Sequence, residues 1–281
     1  MRYKGRFIFD ERPSKEKELN RLVTLSEIYQ PYTKEILLNI QDGSIHKIKK
    51  IIDIGAGTGH TTLLLKELFP KAEVTYFDSS IDLLNYAKKI AKENNEKIDF
   101  KHGDISSYLF EGKYDLVFSR FAVKHFYSPQ NSINTMTNIL EDTGVICLID
   151  KDVYANIWYP NFPLYKTKFM MALNKYNELK HRGGDSAIGR KMRSYLISNK
   201  IDVQDENLIS FNLTNNSKSD IETYKNIYIN VYENLIPELV NNKLITYDEA
   251  MKDINKLSAF INNPKNTAII IDFAIWGQKN G

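Results

Sequence analysis

The stretch IIDIGAGTGHTTLLL, residues 51–65, limits the possible folds more than any other part of the chain. Ile51, Ile52 and Ile54 read as a buried strand interrupted by one acid, Asp53. Gly55, Gly57 and Gly59 then take alternate positions, and a leucine-rich, helix-like run follows. Glycine weakens strands and helices alike, so this density belongs to a tight turn between the two. Such a turn bares backbone amides at the positive end of a helix dipole, where a ligand can approach the main chain closely.

The segments around it repeat the strand–helix rhythm. Upstream, Leu19, Leu22 and Val23, then Ile36, Leu37 and Ile40, stand at helical spacing, and Pro31 predicts a division into two helices. Residues 60–69 read as a helix ended by Pro70, and AEVTYFD as a second strand. Ser80 is placed to cap a helix whose apolar face is Ile81, Leu84, Ala87 and Ala91. KIDFKHGD, YDLVFSR and GVICLID supply three more strands, with SPQNSINTMTNIL as the helix between the last two. Strands separated by helices imply a parallel sheet with right-handed crossovers.

After Asp152 the rhythm breaks into an aromatic-rich segment, followed by a helix at IGRKMRSYLISN and a strand near residues 207–213. Two helices come next. Ile221, Tyr224, Tyr228, Val231 and Leu235 share a face of the first, which Pro237 ends, and Thr246 with Glu249 forms a capping box for the second. TAIIIDFAIW is the last strand. The expectation is an α/β fold: a doubly wound, mostly parallel seven-stranded sheet with helical insertions at about 153–186 and 214–265. Residues 1–45 form an N-terminal helical cap on a domain spanning 46–281.

Two common ligands of such a turn do not fit its sequence. A dinucleotide site wants a third glycine where this chain has His60, and a phosphate-binding P-loop needs a Gly-Lys-Ser/Thr ending. The pattern present is D-x-G-x-G-x-G, from Asp53 to Gly59. With Asp78 ending the second strand, HGDI ending the third and YDLVFSRFAVKHF at the fourth, the chain resembles the class I S-adenosylmethionine-dependent methyltransferases over roughly residues 19–152.

The resemblance implies that Asp53, Gly55, Ala56, Gly57 and Gly59 form the cofactor turn. Asp78, with Ser79 beside it, accepts the ribose hydroxyls, as an acid there does in dinucleotide folds. Asp104 meets the adenine amino group and Ile105 lies against the ring. Arg120 and Phe121 fall near the methionine end. S-adenosylmethionine is then the cofactor and S-adenosylhomocysteine the product. RGGDSAIGRKMRSYLISNKI, LITYDEAMKDINKLSAFINNP and the closing AIWGQK resemble bacterial small-molecule methyltransferases, often encoded among biosynthetic genes. They imply a small-molecule acceptor.

Composition narrows the function classes. Net charge over the 281 residues is +3, too small to argue for a nucleic-acid partner. The single cysteine, Cys147, excludes an intrachain disulfide framework and a cysteine metal cluster. The N-terminal stretch is mixed in charge without a long apolar core, and no apolar run is long enough to span a bilayer, so the expected compartment is the cytoplasm. His46, His60, His102 and His181 lack ligand spacing. Asp150 and Asp152 have no third acid in a matching place, so they read as caps of the fifth strand and no metal is expected.

The remaining candidates carry two readings each. Arg120 can hold the methionine carboxylate, bind an acidic acceptor or make a surface ion pair. His125 can take a proton from an acceptor hydroxyl or stand as a structural histidine at a helix start. Tyr154, Trp158, Tyr159, Tyr165 and Phe169 can wall an acceptor pocket, because pockets sit at the carboxyl ends of strands in such sheets, or form the core of the insert. The function expected is methyl transfer to a small-molecule acceptor. The alternatives are an RNA or protein methyltransferase, which a steep salt dependence would mark, a non-catalytic cofactor-binding protein, and a nicotinamide oxidoreductase.

Overall fold

The computed structural model describes Phe9 and residues 14–44, 48–180, 182–214 and 219–280. His46, His181 and most of the first 13 residues lie outside the described residues. Helix α1 (Lys15–Ser44) precedes β1 (Lys50–Ile54), α2 (His60–Leu68), β2 (Glu73–Asp78), α3 (Ile81–Glu93), β3 (Asp99–His102), β4 (Tyr114–Arg120), α4 (Pro129–Asn138) and β5 (Leu140–Lys151). These five strands pair in parallel in the order β3-β2-β1-β4-β5. The order reverses between β1 and β4, and the crevice at the carboxyl ends of those two strands is where ligands bind in open sheets of this kind.

Both faces of the sheet are covered. Side chains alternate across a strand, so neighbours in sequence reach opposite layers. Ile51, Leu116, Phe118, Cys147 and Ile149 pack with Leu37 and Ile40 of α1 and Leu64 and Leu65 of α2. Ile52, Ile54, Val117, Ile146 and Leu148 pack instead with Ile133 and Met136 of α4 and with Met192 and Leu196 of a later helix. Each buried Ile or Leu contributes about 1.5–3 kcal/mol, so the two layers supply most of the drive to fold.

The second half consists of β6 (Ile157–Tyr159), α5 (Lys168–Leu179), α6 (Gly189–Ser198), β7 (Ile201–Asn212), α7 (Ser219–Glu233), α8 (Ile236–Asn241), α9 (Tyr247–Ile261) and β8 (Thr267–Lys279). The sheet therefore has eight strands, not the seven expected. β8 is antiparallel to β5 along residues 272–278 and to β7 along nearly its whole length. Its first residues run past β5, and the amides and carbonyls there need partners. The short β6 pairs them (Ile157↔Ile269, Tyr159↔Thr267), and the Asn156 side-chain oxygen accepts from Ile271 N at 3.1 Å.

Two other expectations are corrected. Pro31 does not divide α1, which runs unbroken for 30 residues with the proline inside. Arg120 donates to Ser26 Oγ at 2.6 Å and Thr33 Oγ1 at 2.8 Å, gripping the helix on either side of Pro31. Tyr29, Leu37 and Ile40 are fully buried along the same helix. Pro237 does not simply end a helix either, since it occupies the first turn of α8, where its missing N–H costs nothing. The capping box of α9 and the Ser80 cap of α3 form as expected.

Candidate active site

The three glycines of the β1–α2 turn all have positive φ, +71°, +56° and +79°, a region that favours glycine. They differ in what a side chain would meet. A Cβ on Gly55 would stand 2.3 Å from Ala122 Cβ, and one on Gly59 would stand 2.7 Å from Ala87 Cβ. A Cβ on Gly57 would meet nothing nearer than the Gly55 carbonyl oxygen at 4.0 Å. Packing thus demands two of the glycines, and the third presents its bare face outward.

Acids pin the turn from two sides. Gly57 N donates to Asp78 Oδ2 at 2.9 Å, while Ser80 N donates to Asp78 Oδ1 at 2.8 Å. Tyr76 Oη donates to the Gly57 carbonyl at 2.7 Å. Beneath the turn, Asp53 is buried and accepts from Thr62 Oγ1 at 2.7 Å. Burial raises its carboxyl to about 7, with Thr62 and Arg120 opposing the rise. Ala56 packs against Tyr76, Leu84 and Ala87. The exposed Asp104 uses Oδ1 to accept from Ser106 N and Oγ, Ile105 is buried behind it, and Ser79 offers its carbonyl to His102 Nε2 at 3.0 Å.

Among the described residues Arg120 makes no surface ion pair. Its guanidinium holds the two α1 hydroxyls, and burial lowers it to about 10 against the opposing pull of Asp53 and Tyr29, which leaves it charged at neutral pH. Phe121 follows it at φ +58°, an unusual conformation for a bulky residue and one that concentrates at functional sites. Its amide donates to the Ile149 carbonyl at 2.7 Å. His125 ends a short 3-10 turn, Val123–His125, with its amide bonded to the Ala122 carbonyl.

Next to Phe121 lies a polar cluster that sequence reasoning missed. The Tyr29 hydroxyl donates to Asp272, and Lys151 Nζ donates to Tyr224 Oη at 2.9 Å and stands 3.4 Å from the Asp272 carboxylate. The same ammonium is 4.8 Å from the centre of the Phe121 ring and 5.4 Å from those of Tyr29 and Tyr224. Burial alone would lower Lys151, but Asp272 and Tyr224 outweigh it and hold the ammonium above the usual lysine value. Burial also raises Tyr29 well above an ordinary tyrosine, with Asp272 and Tyr224 adding to it. The tyrosines at 224, 228 and 232 share one helix face, and that polar-tipped stripe is the signal that was legible.

The aromatics of the insert divide between packed and exposed positions. Phe169 is buried against Tyr232, and its amide donates to Asp253 Oδ2. Trp158 packs on Phe162 and Phe260. Tyr154, Tyr159 and Tyr165 are exposed, the first and last 6.2 Å apart. Asp150 accepts from the amides of Lys124 and Lys151, and Asp152 holds Arg190.

The sheet order and the glycine turn between β1 and α2 give the doubly wound, Rossmann-like fold that methyltransferases of known structure share. Residues 45–184 match the family described as "Methyltransferase domain". A malonyl-[acyl-carrier protein] O-methyltransferase of Priestia megaterium is 35% identical over 94 residues, 34% of this chain and 34% of that protein. The chain spans little more than a third of the length of such curated relatives, 34% and 38% in two of them. Among solved structures, the plantazolicin methyltransferase BpumL in complex with S-adenosylhomocysteine superposes with a TM-score of 0.53 at 14% identity, covering 96% of this chain and 92% of its own. The [4+2]-cyclase SpnF does so with a TM-score of 0.55 at 10% identity, covering 88% and 81%. These likenesses concern the fold, and a cyclase among them shows that the fold does not dictate the reaction.

Proposed function

We propose that this protein transfers the methyl group of S-adenosylmethionine to a small-molecule acceptor in a biosynthetic or tailoring step. The observation that carries the reading is the outward face of Gly57 beside the Asp78 carboxylate. A Cβ there would intrude on no protein atom, so the approach it leaves suits a ligand. The residues fit an adenosyl group with an amino-acid tail. Asp78 and Ser79 are assigned to the ribose, Asp104 and Ile105 to the adenine, and Gly55, Ala56, Gly57 and Gly59 to the tail, with Asp53 holding the turn. Arg120 and Phe121 close the methionine end.

S-adenosylmethionine, when bound, supplies a methyl group already activated on a sulfonium. What the chain adds is orientation and exclusion of water. Arg120 fastens α1 over the end of β4, and Tyr29 lays its ring edge-on to Phe121 with centroids 4.6 Å apart. In this reading residues 1–45 cap a domain spanning 46–281, whose insertions at about 153–186 and 214–265 build the acceptor side. Tyr154, Trp158, Tyr159, Tyr165 and Phe169 are assigned to its wall.

The partner is a small molecule, since a net charge of +3 gives no broad basic field for nucleic acid. No helix of the described residues is long and apolar enough to cross a membrane. A lone buried Cys147 suits a reducing compartment, and the cytoplasm is the proposed location.

The test is calorimetry with S-adenosylhomocysteine and NAD(P), then turnover of a metabolite extract with isotopically labelled S-adenosylmethionine read by mass spectrometry. Binding of S-adenosylhomocysteine and a labelled small molecule are expected. Tighter binding of NAD(P) would overturn the reading.

A further inference from the structure

The carboxyl ends of β4 and β5 bring two lysines to one aromatic ring. Lys151 Nζ is 4.8 Å and Lys124 Nζ 5.2 Å from the centre of Phe121. Their surroundings are unequal. Lys151 has Asp272 and Tyr224 to hold its charge. Lys124 faces Asp150, but Oδ1 of that carboxylate is 3.8 Å away, beyond a hydrogen bond, and the carboxylate already accepts the amides of Lys124 and Lys151 at 2.9 and 2.8 Å. The Lys124 side chain is only 15% exposed.

We propose that Lys124, in its neutral form, is the general base that takes the proton of the acceptor's nucleophile, and that this nucleophile is a weakly acidic O–H, S–H or N–H group. The inference rests on the methyl-transfer reading. An amine loses its proton readily when it is removed from water, short of hydrogen-bond acceptors and set beside a second cation. Lys124 is largely removed from water, has no acceptor within hydrogen-bond distance of its ammonium among the described residues, and shares the Phe121 ring with Lys151.

The charged and titratable groups around it are Asp150 and Lys151 of β5, Asp272 of β8, and Arg21 of α1. Arg21 is itself tied to Glu18 at 2.7 Å. Burial lowers Lys124 to about 8, with Lys151 and Arg21 adding to the fall and Asp150 and Asp272 opposing it. A substantial fraction is then neutral near physiological pH, where a base acts best. Its backbone is fixed on both sides, with its amide bonded to Asp150 and its carbonyl accepting from Asp185 N at 2.9 Å.

The step balances without another reactant. The neutral amine accepts the acceptor's proton, and the electron pair so freed forms the bond to the methyl carbon. The carbon–sulfur bond breaks, its pair stays on sulfur to leave a neutral thioether, and the ammonium later gives its proton to water. A carboxylate acceptor is already ionised at neutral pH and has no use for such a base, which is why the site favours a weakly acidic protic group.

The experiment uses the full chain with its lysines reductively methylated from carbon-13 formaldehyde. The Lys124 resonance, identified by its loss in Lys124→Arg, is expected to titrate near 8. In the labelled extract assay, Lys124→Met should lower product formation by about 100-fold or more. Lys124→Arg should not rescue, because a permanent cation cannot act as a base. Affinity for S-adenosylhomocysteine should stay within about twofold in both variants. An ordinary titration of Lys124, or full turnover by Lys124→Arg, overturns the proposal and leaves a fixed cation in its place. Failure of the unsubstituted protein to bind S-adenosylhomocysteine overturns the methyl-transfer reading, whereas binding with an ordinary Lys124 overturns only the base.

Discussion

Three glycines with similar backbone angles serve two different needs, and single substitutions separate them. Gly59→Val drives a side chain into Ala87, 2.7 Å from the position of its Cβ, so thermal stability should fall sharply. Gly57→Val meets only the strain of its positive φ, about 1–2 kcal/mol, and should fold while losing measurable affinity for S-adenosylhomocysteine. Asp78→Ala removes the acceptor of two amides as well as the proposed ribose contact, and calorimetry should show binding weaker by about 1–3 kcal/mol. Unchanged affinity in that variant would remove Asp78 from the site.

At the scale of elements, α1 is the part whose integrity depends most on distant residues. A proline inside a helix costs ~3 kcal/mol or more, and α1 carries one without interruption. The Arg120 guanidinium compensates by bonding Ser26 and Thr33 across the weak point. The double substitution Ser26→Ala with Thr33→Val leaves a half-buried guanidinium without those acceptors, at about 1–3 kcal/mol for each lost partner. Hydrogen exchange around residues 26–33 should speed up, and the denaturation midpoint should fall. Exchange as slow as in the unsubstituted protein would show that apolar packing alone holds the helix straight through Pro31.

For the whole molecule, the acid under the glycine turn links stability to pH. Burial raises Asp53 from 3.8 to about 7 in the folded protein. Between those values the folded state holds a proton that the unfolded chain has released, so this group's stabilising contribution is full below pH 4 and is lost as pH rises through 7. The buried Asp150, raised by the same cause, acts in the same sense. Asp53→Asn should flatten this fall, which urea midpoints measured from pH 4 to pH 8 will show. A steeper fall in the variant would contradict the assignment.

Local pattern sufficed for much of the protein. The alternation of apolar runs and amphipathic stretches is a property of neighbouring residues, and it gave β1 to β5, their helices and the capping box of α9 before any contact was known. The glycine turn was legible for the same reason, since three glycines at alternate positions have few uses. Other features depended on residues far apart in the chain. The continuity of α1 depends on Arg120, 87 and 94 positions away from Thr33 and Ser26. The eighth strand exists because β8 overruns β5 and the exposed part of its edge takes Ile157, Trp158 and Tyr159 as partners. The lysine and tyrosine cluster joins Tyr29, Lys151, Tyr224 and Asp272, up to 243 positions apart. Hydrophobic period is set residue by residue, whereas the partner of a buried charge or an unpaired strand edge is chosen only when the layers close and each polar group left inside must find another.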